Sequence, residues 1–370
     1  MKKVVIGLSG GVDSAVAALL LKKQGYIVKG VFMRNWDSVL NNDILGNTFI
    51  NDNVCPQEAD YMDALLTSKE LDIEFERVDF VEEYWNRVFL KFKESYEKGK
   101  TPNPDILCNN EIKFKCFLEY ALNKDIDYIS TGHYAKIIKN EDNNLHLYKA
   151  FDKEKDQSYF LSGLTKEQLS RVLFPLGDIT KIEVRKIALD NNLTVALKKD
   201  STGICFIGER KFKEFLKNYI SPKEGEMRRL DNSFVKKHSG VYYYTIGQRH
   251  GLDIGGKGEA WFVVGKDIAN NILYVEQGDN KYLYGDSLII NNINKLQIHN
   301  YDNLYGKFRY RSTDVKCSID YIDTKSAKVI LSKEIKALTP GQQAVFYHND
   351  ELVMSGEIDS VYYKNERRLY

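Results

Sequence analysis

At 370 residues the chain is longer than one ordinary domain, so two or three domains are expected. Apolar residues make up 43% and charged residues 28%, which indicates buried cores beneath a charged surface, and no apolar run reaches the roughly 18 residues that a membrane-spanning helix needs. The net charge of +1 gives no indication for or against nucleic acid as a partner.

The N-terminus and the cysteines indicate a cytoplasmic protein. The opening residues, MKKVVIGLSGG, lack the longer apolar region and the cleavage site of a signal peptide, and they are predicted to begin a buried strand. The five cysteines are scattered without a C-x-x-C pair, which excludes a disulfide scaffold and the usual zinc or iron–sulfur patterns. Any functional cysteine is therefore expected to act as a thiolate in a reducing compartment.

The first 200 residues alternate strand-like and helix-like segments. Lys3–Leu8 and Val28–Met33 are β-branched runs, and Ala15–Gln24 between them has apolar residues at helical spacing. Glu82–Tyr96 carries an apolar helical stripe, and Asp127–Thr131 is another candidate strand. The alternation predicts an α/β fold in which a parallel sheet has helices on both faces.

The pattern changes after about residue 260, where short apolar segments alternate with Gly, Asn and Asp. The candidate strands are Ala260–Val264, Ile272–Val275, Lys307–Tyr310, Lys328–Leu331 and Ala344–Tyr347. They predict a small β-barrel. The stretch 198–258 has 13 Lys and Arg against seven Asp and Glu, which suits either a solvated surface or a nucleic-acid contact. We predict three domains: a catalytic domain (1–210), a small central linker domain (211–280) and a C-terminal β-barrel (281–370).

The segment GLSGGVDS follows the first strand and opens the first helix. Its glycines permit a tight turn that aims backbone N–H groups at one point, where the helix adds its partial positive charge. The predicted nucleotide-binding residues are Gly7, Leu8, Ser9, Gly10, Gly11, Val12, Asp13 and Ser14. We expect Asp13 to hold Mg²⁺ beside the phosphates. The loop lacks the lysine of P-loop NTPases and the G-x-G-x-x-G of dinucleotide sites; it resembles the PP-loop of ATP pyrophosphatases, which transfer AMP from ATP to a substrate oxygen.

Two cysteines lie in segments unlike ordinary packing positions. Cys108 follows a stretch stiffened by two prolines, and it is expected just before a helix Glu111–Leu122 whose N-terminus favours the thiolate. Cys205 lies in a polar loop, Asp200–Gly208, whose glycines permit a close approach of the backbone. Of the other cysteines, Cys116 and Cys317 are predicted to pack and Cys55 has no assigned role.

Six motifs, in order along nearly the whole chain, resemble those of the tRNA-specific 2-thiouridylase family. They are Ser9–Ser14 (SGGVDS), Asn103–Asn109 (NPDILCN), Thr131–Ala135 (TGHYA), Asp156–Leu161 (DQSYFL), Asp200–Gly208 (DSTGICFIG) and Tyr244–Leu252 (YTIGQRHGL). The late segments 309–311 and 340–342 extend the resemblance into the predicted barrel. Six ordered motifs are far more specific than one loop, so the resemblance implies the fold and the chemistry of that family.

The resemblance implies ATP-dependent 2-thiolation of the wobble uridine, U34, in tRNAs of the Lys, Glu and Gln type. ATP, with Mg²⁺, adenylates O2 of the base, which opens C2 to attack, and the sulfur arrives as a persulfide on Cys205. Cys108 then either releases this sulfur or resolves the adduct by forming a Cys108–Cys205 disulfide. Asp105 is implied as the acid or base beside the target base. A persulfide relay protein or a cysteine desulfurase is implied as the sulfur donor.

Further positions match binding residues of the family. Met33 and Gly132 lie at the ends of predicted strands, where ligands of α/β sheets bind, and are expected to line the adenine pocket, although Met33 also suits an ordinary core. The implied contacts to the target base or the tRNA are Asn103, Pro104, Asp105, His133, Lys155, Asp156, Gln157, Arg309, Tyr310 and Gln342. Without the motif, a lone histidine such as His133 is more often a satisfied turn residue. The Arg–Tyr pair at 309 and 310 suits either a phosphate contact with base stacking or a solvated strand.

A second chemistry for the same loop is an adenylating ligase or amidating synthetase, in which nitrogen attacks the activated carbonyl. Such an enzyme requires no pair of loop cysteines, so alanine variants at Cys108 and Cys205 separate the two hypotheses. A tRNA-binding protein with a relict ATP loop is a third interpretation, which the intact loop with Asp13 disfavours.

Overall fold

The computed structural model describes residues 1–49, 56–141, 143–200, 207–208, 210–297 and 302–370. Cys55 and Cys205 lie outside the described residues, as does most of the predicted loop that contains Cys205. The chain divides into two compact units. Unit 1 comprises Met1–Phe89, Pro104–Phe215 and Asn349–Val353, and unit 2 comprises Leu90–Asn103, Leu216–His348 and Met354–Tyr370. Within the described ranges, a helix with the length and apolar character of a membrane span does not occur.

A parallel sheet forms the centre of unit 1. The strands of its first 200 residues are β1 (Lys3–Gly7), β2 (Ile27–Arg34), β3 (Glu74–Asp79), β4 (Tyr128–Ser130), β5 (Ala135–Lys139), β6 (Leu145–Lys149) and β7 (Val172–Leu173). Five of them run parallel in the order β3-β2-β1-β4-β7. Because the direction of winding reverses at β1, the carboxyl ends of β1 and β4 flank the crevice in which such sheets bind ligands.

The described α-helices lie between Val12 and Lys217; Leu90–Glu97 belongs to unit 2, Phe212–Lys217 crosses the boundary, and the others belong to unit 1. The helices are α1 (Val12–Lys23), α2 (Pro56–Glu70), α3 (Val81–Tyr84), α4 (Leu90–Glu97), α5 (Pro104–Cys108), α6 (Phe117–Leu122), α7 (Lys166–Leu169), α8 (Lys181–Asp190) and α9 (Phe212–Lys217). Two π-helical segments, Trp85–Phe89 and Asn109–Cys116, join α3 to α4 and α5 to α6. Helix α1 packs in the core, where Val16, Ala17 and Leu21 are almost fully buried. This burial explains why α1 is apolar on nearly every side.

Two sequence predictions about these helices have different outcomes. The predicted helix Glu82–Tyr96 is confirmed, and its apolar stripe, including Phe89 and Phe92, is buried. The predicted helix Glu111–Leu122 is wrong at its start, because the helical run begins at Pro104. Proline is compatible with the first helical position, where its missing N–H would have no partner in any case. The prolines therefore precede and open a helix instead of stiffening an extended loop.

The later half of the chain supplies two β-structures to unit 2. Its strands are β8 (Gly225–Arg228), β9 (Phe234–His238), β10 (Trp261–Asp267), β11 (Ile272–Gln277), β12 (Tyr284–Lys295), β13 (Leu304–Lys307), β14 (Val315–Tyr321), β15 (Ala327–Lys336), β16 (Gln343–His348), β17 (Glu351–Tyr363) and β18 (Glu366–Arg367). The first four form a sheet in the order β10-β11-β8-β9. Strands β12-β15-β14-β13-β16-β17 form a barrel, which closes where β12 pairs with β17. The first residues of β17, Glu351 and Leu352, belong to unit 1 and pair with β6.

The predicted fold class is confirmed: a parallel-sheet α/β region is followed by a small central β-structure and a β-barrel. The candidate strand Lys307–Tyr310 is wrong in position, because β13 ends at Lys307 and residues 309 and 310 form a turn. The compact units are not contiguous in sequence, since residues 90–103 group with the later half of the chain. The predicted boundaries at 210 and 280 stay a prediction.

Candidate active site

The phosphate loop connects β1 to α1 at the carboxyl edge of the parallel sheet. Gly10 has a φ of +73°, and a Cβ on it would lie 2.3 Å from Asp60 O, so glycine alone fits this turn. Ser14 Oγ donates to Gly11 O (3.1 Å) and accepts from the Ser9 amide (3.1 Å), which closes the loop onto the first turn of α1. The first N–H groups of a helix have no acceptors within the helix. The loop and the helix end therefore present the donors that a phosphate requires.

Met33 and Gly132, predicted to line the adenine pocket, both lie against this loop region. Met33 is buried, and its Cε would lie 2.8 Å from a Cβ placed on Gly7. A Cβ on Gly132 would lie 2.7 Å from the Ser14 amide nitrogen and 2.9 Å from the carbonyl carbon of Asp13. The turn after β4 thus packs directly on the start of α1, and only a residue without a side chain permits that approach. The structure brings these predicted residues together beside the phosphate loop.

Asp13 is held by two groups from distant parts of unit 1. Lys181 Nζ donates to both carboxylate oxygens of Asp13, at 2.7 and 2.8 Å, and Tyr134 OH donates to Oδ1 at 2.7 Å. Burial and then the charge of Asp13 raise the pKa of Tyr134, so its hydroxyl stays protonated and remains a donor. Lys181 itself is buried, and its Nζ also lies 2.8 Å from Asp200 Oδ1. One ammonium therefore joins the phosphate loop to Asp200.

Asp200, the first residue of the motif that contains Cys205, is surrounded by cations. Lys155 Nζ, Arg185 Nη2 and Lys181 Nζ lie 2.8 to 2.9 Å from its carboxylate oxygens. Partial burial opposes ionisation of Asp200, but the hydrogen bonds from Lys181 and Lys155 outweigh it and lower the pKa to about 2. Asp200 is thus a fixed anion at physiological pH, and it holds the beginning of this motif in place.

Lys198 provides a second connection between the same stretch of chain and the phosphate loop. Its Nζ donates to Gly10 O at 3.0 Å and to carboxylate oxygens of Asp60 and Asp63 at 2.6 and 2.5 Å. Burial lowers the pKa of Lys198, and the hydrogen bonds to the two carboxylates overcome this and raise it. Residues 198–200 are therefore bound to the phosphate loop at two points, immediately before the residues that include Cys205.

A buried ion pair holds the chain on the other side of Cys205. Arg210 Nε and Nη2 donate to Asp43 Oδ2 at 2.9 and 2.7 Å, and Trp36 Nε1 donates to the same oxygen at 3.0 Å. The Arg210 and Asp43 side chains are only 6% and 0% exposed. Both described ends of the segment that contains Cys205 are consequently attached to the body of unit 1, whereas Cys205 itself lies outside the described residues.

Cys108 is a fully buried residue inside the helical run, not a residue in front of it. It is the last residue of α5 and is 0% exposed. Pro104 and Asp105 lie in the first turn of that helix, so Asp105 benefits from the helix dipole. The neighbouring Asn109 is also buried, and its Nδ2 donates to Phe160 O at 2.9 Å. The expectation that the N-terminus of a helix beginning at 111 activates Cys108 is therefore wrong, because the thiol lies one turn inside a helix that begins at 104.

The other predicted packing cysteines behave as the sequence indicates. Cys116 and Cys317 are buried free thiols. Burial raises the pKa of both, to about 12 for Cys317, although Arg87 beside Cys116 opposes the shift there. Neither thiol is ionised near neutral pH, so neither suits nucleophilic chemistry.

His133 and Asp156, predicted to contact tRNA, are both buried in unit 1. His133 Nδ1 lies 2.7 Å from Thr131 Oγ1, and burial, with a smaller effect of Lys113, lowers its pKa well below the usual value. Asp156 accepts hydrogen bonds from the Ala150 amide and from the Ser158 hydroxyl, both at 2.9 Å. These contacts favour the interpretation of His133 as a satisfied turn residue and give Asp156 a local structural task. Their contacts to tRNA stay predictions.

Gln157 and Lys155 are more accessible than their neighbour. Gln157 Oε1 accepts from the Tyr134 amide at 3.0 Å, and the Gln157 amide donates to Tyr134 O at 2.8 Å. This double contact holds the turn after β4 in the position from which Tyr134 reaches Asp13. The Lys155 side chain is 41% exposed although it pairs with Asp200, so an additional anionic partner can reach its ammonium.

In unit 2, Gln342 supports the segment that precedes Asn103. Gln342 Nε2 donates to Thr101 O at 2.6 Å, and the Thr101 amide donates to Pro340 O at 2.8 Å. Gly341 has a φ of +89°, and a Cβ on it would lie 2.8 Å from Thr101 N. The turn 340–342 is thus hydrogen-bonded to the backbone two residues before Asn103. Gln342 therefore helps to position this segment, in addition to its predicted tRNA contact.

Arg309 lies in the turn after β13 and connects parts of unit 2. Its Nη2 donates to Ala337 O at 2.6 Å and Thr339 Oγ1 at 2.7 Å, and reaches Ile246 O at 3.3 Å. Ile246 belongs to the motif Tyr244–Leu252, so Arg309 binds that motif to the loop after β15. The interpretation of Arg309 and Tyr310 as a solvated strand pair is wrong. Their contact with tRNA is not tested by this geometry and stays a prediction.

Three residues of this site had no signal in the motifs. Lys181, Lys198 and Arg210 contact residues of the first part of the chain, such as Asp13, Gly10 and Asp43, across 135 to 188 positions of sequence. Lys181 alone carried a local signal, because it occupies the first turn of α8, where a cation opposes the helix dipole. A cation retained in an unfavourable helical position indicates a partner elsewhere in the fold.

Comparison with known proteins identifies the family to which this chain belongs. A model described as "tRNA methyl transferase HUP domain" matches residues 2–209, one described as "tRNA methyl transferase PRC-barrel domain" matches 213–277, and one described as "Aminomethyltransferase beta-barrel domain" matches 286–358. A protein of Acholeplasma laidlawii named tRNA-specific 2-thiouridylase MnmA is 53% identical over 373 residues, covering 100% of this chain and 99% of that relative. The chain belongs to the tRNA-specific 2-thiouridylase family. The family recognised from the six motifs is therefore confirmed, and with it an enzyme of the sulfurtransferase class.

Other members of the 2-thiouridylase family are equally complete matches. The protein of the same name from Mycoplasmopsis synoviae is 53% identical and covers 100% of this chain and 98% of its own length. That from Staphylococcus epidermidis is 48% identical, covering 99% and 97%. Among solved structures, NMN synthetase from Francisella tularensis matches 54% of this chain and 66% of its own, with 20% identity and a TM-score of 0.31.

Proposed function

We propose that this protein uses ATP to exchange O2 of the wobble uridine, U34, for sulfur in tRNAs of the Lys, Glu and Gln type. The observation that carries the proposal is the attachment of residues 198–200 to the phosphate loop through Lys198 and Lys181, immediately before the segment that contains Cys205. This attachment brings the beginning of a cysteine segment to the place where a nucleotide is expected. Family membership supports the same chemistry.

The proposed reaction has three covalent steps. O2 of the uridine attacks the α-phosphate of ATP, pyrophosphate leaves, and C2 becomes electrophilic. The terminal sulfur of a Cys205 persulfide forms the C2–S bond while AMP departs with the former O2, and the Cys108 thiolate then attacks the Cys205 sulfur to give a disulfide and 2-thiouridine. If Cys108 instead attacks first, it releases hydrosulfide, which attacks C2, and the same disulfide remains. A thiol reductant returns both cysteines for the next turnover.

The residues around the loop have distinct tasks in this proposal. Gly7 to Ser14 bind the phosphates, and Met33 and Gly132 border the adenine. Asn103, Pro104 and Asp105 hold the target base, with Asp105 as the acid or base. Since Cys108 is fully buried, its reaction requires a local movement of the helix or of the base-binding segment.

Asp13 fits Mg²⁺ only as a single protein ligand. No cluster of three or more His, Cys, Asp or Glu side chains suited to a metal ion is present among the described residues. Both Asp13 oxygens already accept hydrogen bonds from Lys181. A magnesium ion would therefore arrive bound to the ATP phosphates, where it supplies charge neutralisation, and Asp13 would contribute one oxygen.

The proposed partners follow from the same chemistry. The tRNA contacts are assigned to Lys155, Asp156, Gln157 and His133 in unit 1, and to Arg309, Tyr310 and Gln342 in unit 2. A persulfide relay protein or a cysteine desulfurase supplies sulfur to Cys205. The reaction takes place in the cytoplasm. The catalytic domain spans 1–210, with a tRNA-binding linker domain at 211–280 and the barrel at 281–370.

Nucleoside mass analysis tests the proposal. Unmodified tRNA is incubated with the protein, ATP, Mg²⁺ and a persulfide source, and 2-thiouridine is expected among the nucleosides only when ATP is present; a tRNA with U34 replaced by C should give none. Cys205→Ala and Cys108→Ala are expected to lower product formation by at least about 100-fold. The matched control is Cys317→Ala, which removes a buried barrel thiol and leaves turnover unchanged. Full turnover by Cys108→Ala contradicts its assigned task, and full activity of both variants favours a nitrogen-transferring ligase.

A further inference from the structure

The ammonium of Lys181 lies between two carboxylates with different tasks. Its Nζ is 2.7 and 2.8 Å from the oxygens of Asp13, in the phosphate loop, and 2.8 Å from Asp200, at the start of the Cys205 motif. The Lys181 side chain is only 10% exposed, whereas those of Asp13 and Asp200 are 33% and 39% exposed. The buried cation is therefore the common element, and each anion has one side turned toward solvent.

The surroundings show that Lys181 is placed for this contact. It occupies the first turn of α8, whose capping box is formed by Thr180 and Glu183, and a cation there opposes the helix dipole. The unfavourable position is offset by the two carboxylates. Without the ammonium, Asp13 and Asp200 would repel each other at the place where residues 198–200 meet the loop.

The other cations near Asp200 do not make this bridge. Arg185 Nη2 binds Asp200 Oδ1, and its Nη1 donates to Ala196 O and Lys198 O, all within the same stretch of chain. The Lys155 ammonium contacts Asp200 from the turn after β6. Of these three cations, Lys181 is the one whose contacts join a side chain of the phosphate loop to a side chain of the Cys205 motif.

We infer that Lys181 is a positioning residue that couples the nucleotide site to the Cys205 segment. The inference rests on the proposed function: an adenylated base must be captured by sulfur before water attacks it. By fixing Asp200 against Asp13, Lys181 holds the start of the Cys205 motif beside the loop where the adenylate forms. Its loss uncouples the two half-reactions, so that ATP is consumed without sulfur transfer.

The test measures pyrophosphate released and 2-thiouridine formed in the same reaction of the full-length protein with tRNA. Lys181→Met, which keeps an unbranched side chain but removes the charge, is expected to raise the ratio of pyrophosphate to 2-thiouridine at least about tenfold. Asp200→Asn breaks the bridge from its more exposed end and leaves the Lys181–Asp13 pair intact. It is expected to raise the ratio similarly while adenylation continues at nearly the original rate.

Three further variants distinguish coupling from general damage. Lys181→Arg retains the positive charge and is expected to recover part of the coupling. Lys29→Met removes an ion pair with Glu76 (2.7 Å) on the same sheet, away from the loop, and is expected to leave the ratio unchanged. In the double variant of Lys181→Met and Asp200→Asn, the ratio should not exceed that of the worse single variant, because both substitutions remove one contact.

The outcomes separate this inference from the proposed function. If the unaltered protein forms no 2-thiouridine with ATP, the proposed function itself fails. If it does so, but Lys181→Met and Asp200→Asn slow both half-reactions equally at an unchanged ratio, Lys181 is merely structural and the inference is overturned. If Lys181→Met does not fold, Asp200→Asn alone tests the inference. An unchanged ratio of pyrophosphate to 2-thiouridine in Asp200→Asn then overturns it.

Discussion

At the scale of single residues, the absence of one side chain decides how closely the turn after β4 approaches the phosphate loop. Gly132→Ala would place a methyl group 2.7 Å from the Ser14 amide nitrogen, so either the turn or the start of α1 must move. We expect the KM for ATP to rise about tenfold or more, because the N–H groups proposed to bind phosphate lose their alignment. The control is Gly255→Ala, since that glycine has nothing within 4 Å of its Cβ position. An unchanged KM for ATP in Gly132→Ala would show that the turn after β4 can move away from α1 without disturbing the phosphate loop.

A second single-residue prediction concerns pH. Lys266 is buried, its Nζ donates to Gly99 O at 2.9 Å, and burial lowers its pKa from 10.5 to about 7. Between pH 7 and 10.5 the unfolded chain binds this proton more strongly than the folded chain. The contribution of Lys266 to stability therefore rises with pH through that window and is least favourable below pH 7. Lys266→Met removes this dependence.

Denaturant unfolding at pH 6, 7.5 and 9 measures the effect of Lys266. The difference in unfolding free energy between the original protein and Lys266→Met should change by more than about 1 kcal/mol across the series. The original protein should become more stable relative to the variant as the pH rises. Lys98→Met, which alters an exposed lysine paired with Glu94, serves as the control and should show no such trend. Parallel curves for Lys266→Met and the original protein would contradict a depressed pKa.

At the scale of elements, a buried ion pair fixes the described chain that follows the segment containing Cys205. The buried pair of Arg210 and Asp43 fixes the chain after Cys205, and Arg210→Met would leave the Asp43 carboxylate buried without its cation. Removing one partner of a buried ion pair costs about 3–5 kcal/mol of unfolding free energy. Thermal and denaturant unfolding measure this loss. Adding Asp43→Asn to Arg210→Met should restore part of the stability, and failure of that rescue would mean that packing, not charge, makes Arg210 important.

The helical run from Pro104 to Leu122 shows why the sequence predicts the presence of this helix but places its first residue too late. The stretch TPNPD contains two prolines, which favour extended backbone before them, and the chain is indeed non-helical up to Asn103. Pro104, however, occupies the first position of α5, where proline is favoured. The same residue type supports a loop or opens a helix according to the residues that come after it. Local sequence therefore predicted the existence of this helix more reliably than its first residue.

At the scale of the whole molecule, residues 90–103 belong to the same compact unit as the barrel although they precede it by more than 100 positions. Gly341→Ala would add a Cβ 2.8 Å from Thr101 N at a φ of +89°. We expect the hydrogen bond from Thr101 N to Pro340 O to weaken, so that the Thr101 amide exchanges with solvent at least about tenfold faster. Because Asn103, which is proposed to hold the target base, lies only two residues further along the chain, the KM for tRNA should rise as well.

Hydrogen exchange monitored by mass spectrometry of peptides covering residues 98–104 measures the effect of Gly341→Ala. The matched control is Gly25→Ala, which has a similar backbone strain (φ +86°) but nothing within 4 Å of its Cβ position. It should leave exchange at Thr101 unchanged. Equal exchange in both variants would mean that the turn 340–342 does not hold this segment.

The α/β character, the phosphate loop, the late β-structure and the family can all be predicted from the sequence, because each depends on short-range periodicity or on contiguous motifs. The folded chain was needed to show that Lys181 and Lys198 connect residues 198–200 to the phosphate loop, that Arg210 pairs with Asp43, and that Cys108 is buried inside a helix. Ion pairs between groups more than 100 positions apart leave no periodic trace in the sequence, so Lys198 and Arg210 look like ordinary surface cations there. The ion pairs are therefore missed because their partners lie far apart in the sequence, whereas the helix around Cys108 is missed because the role of Pro104 depends on the residues that follow it.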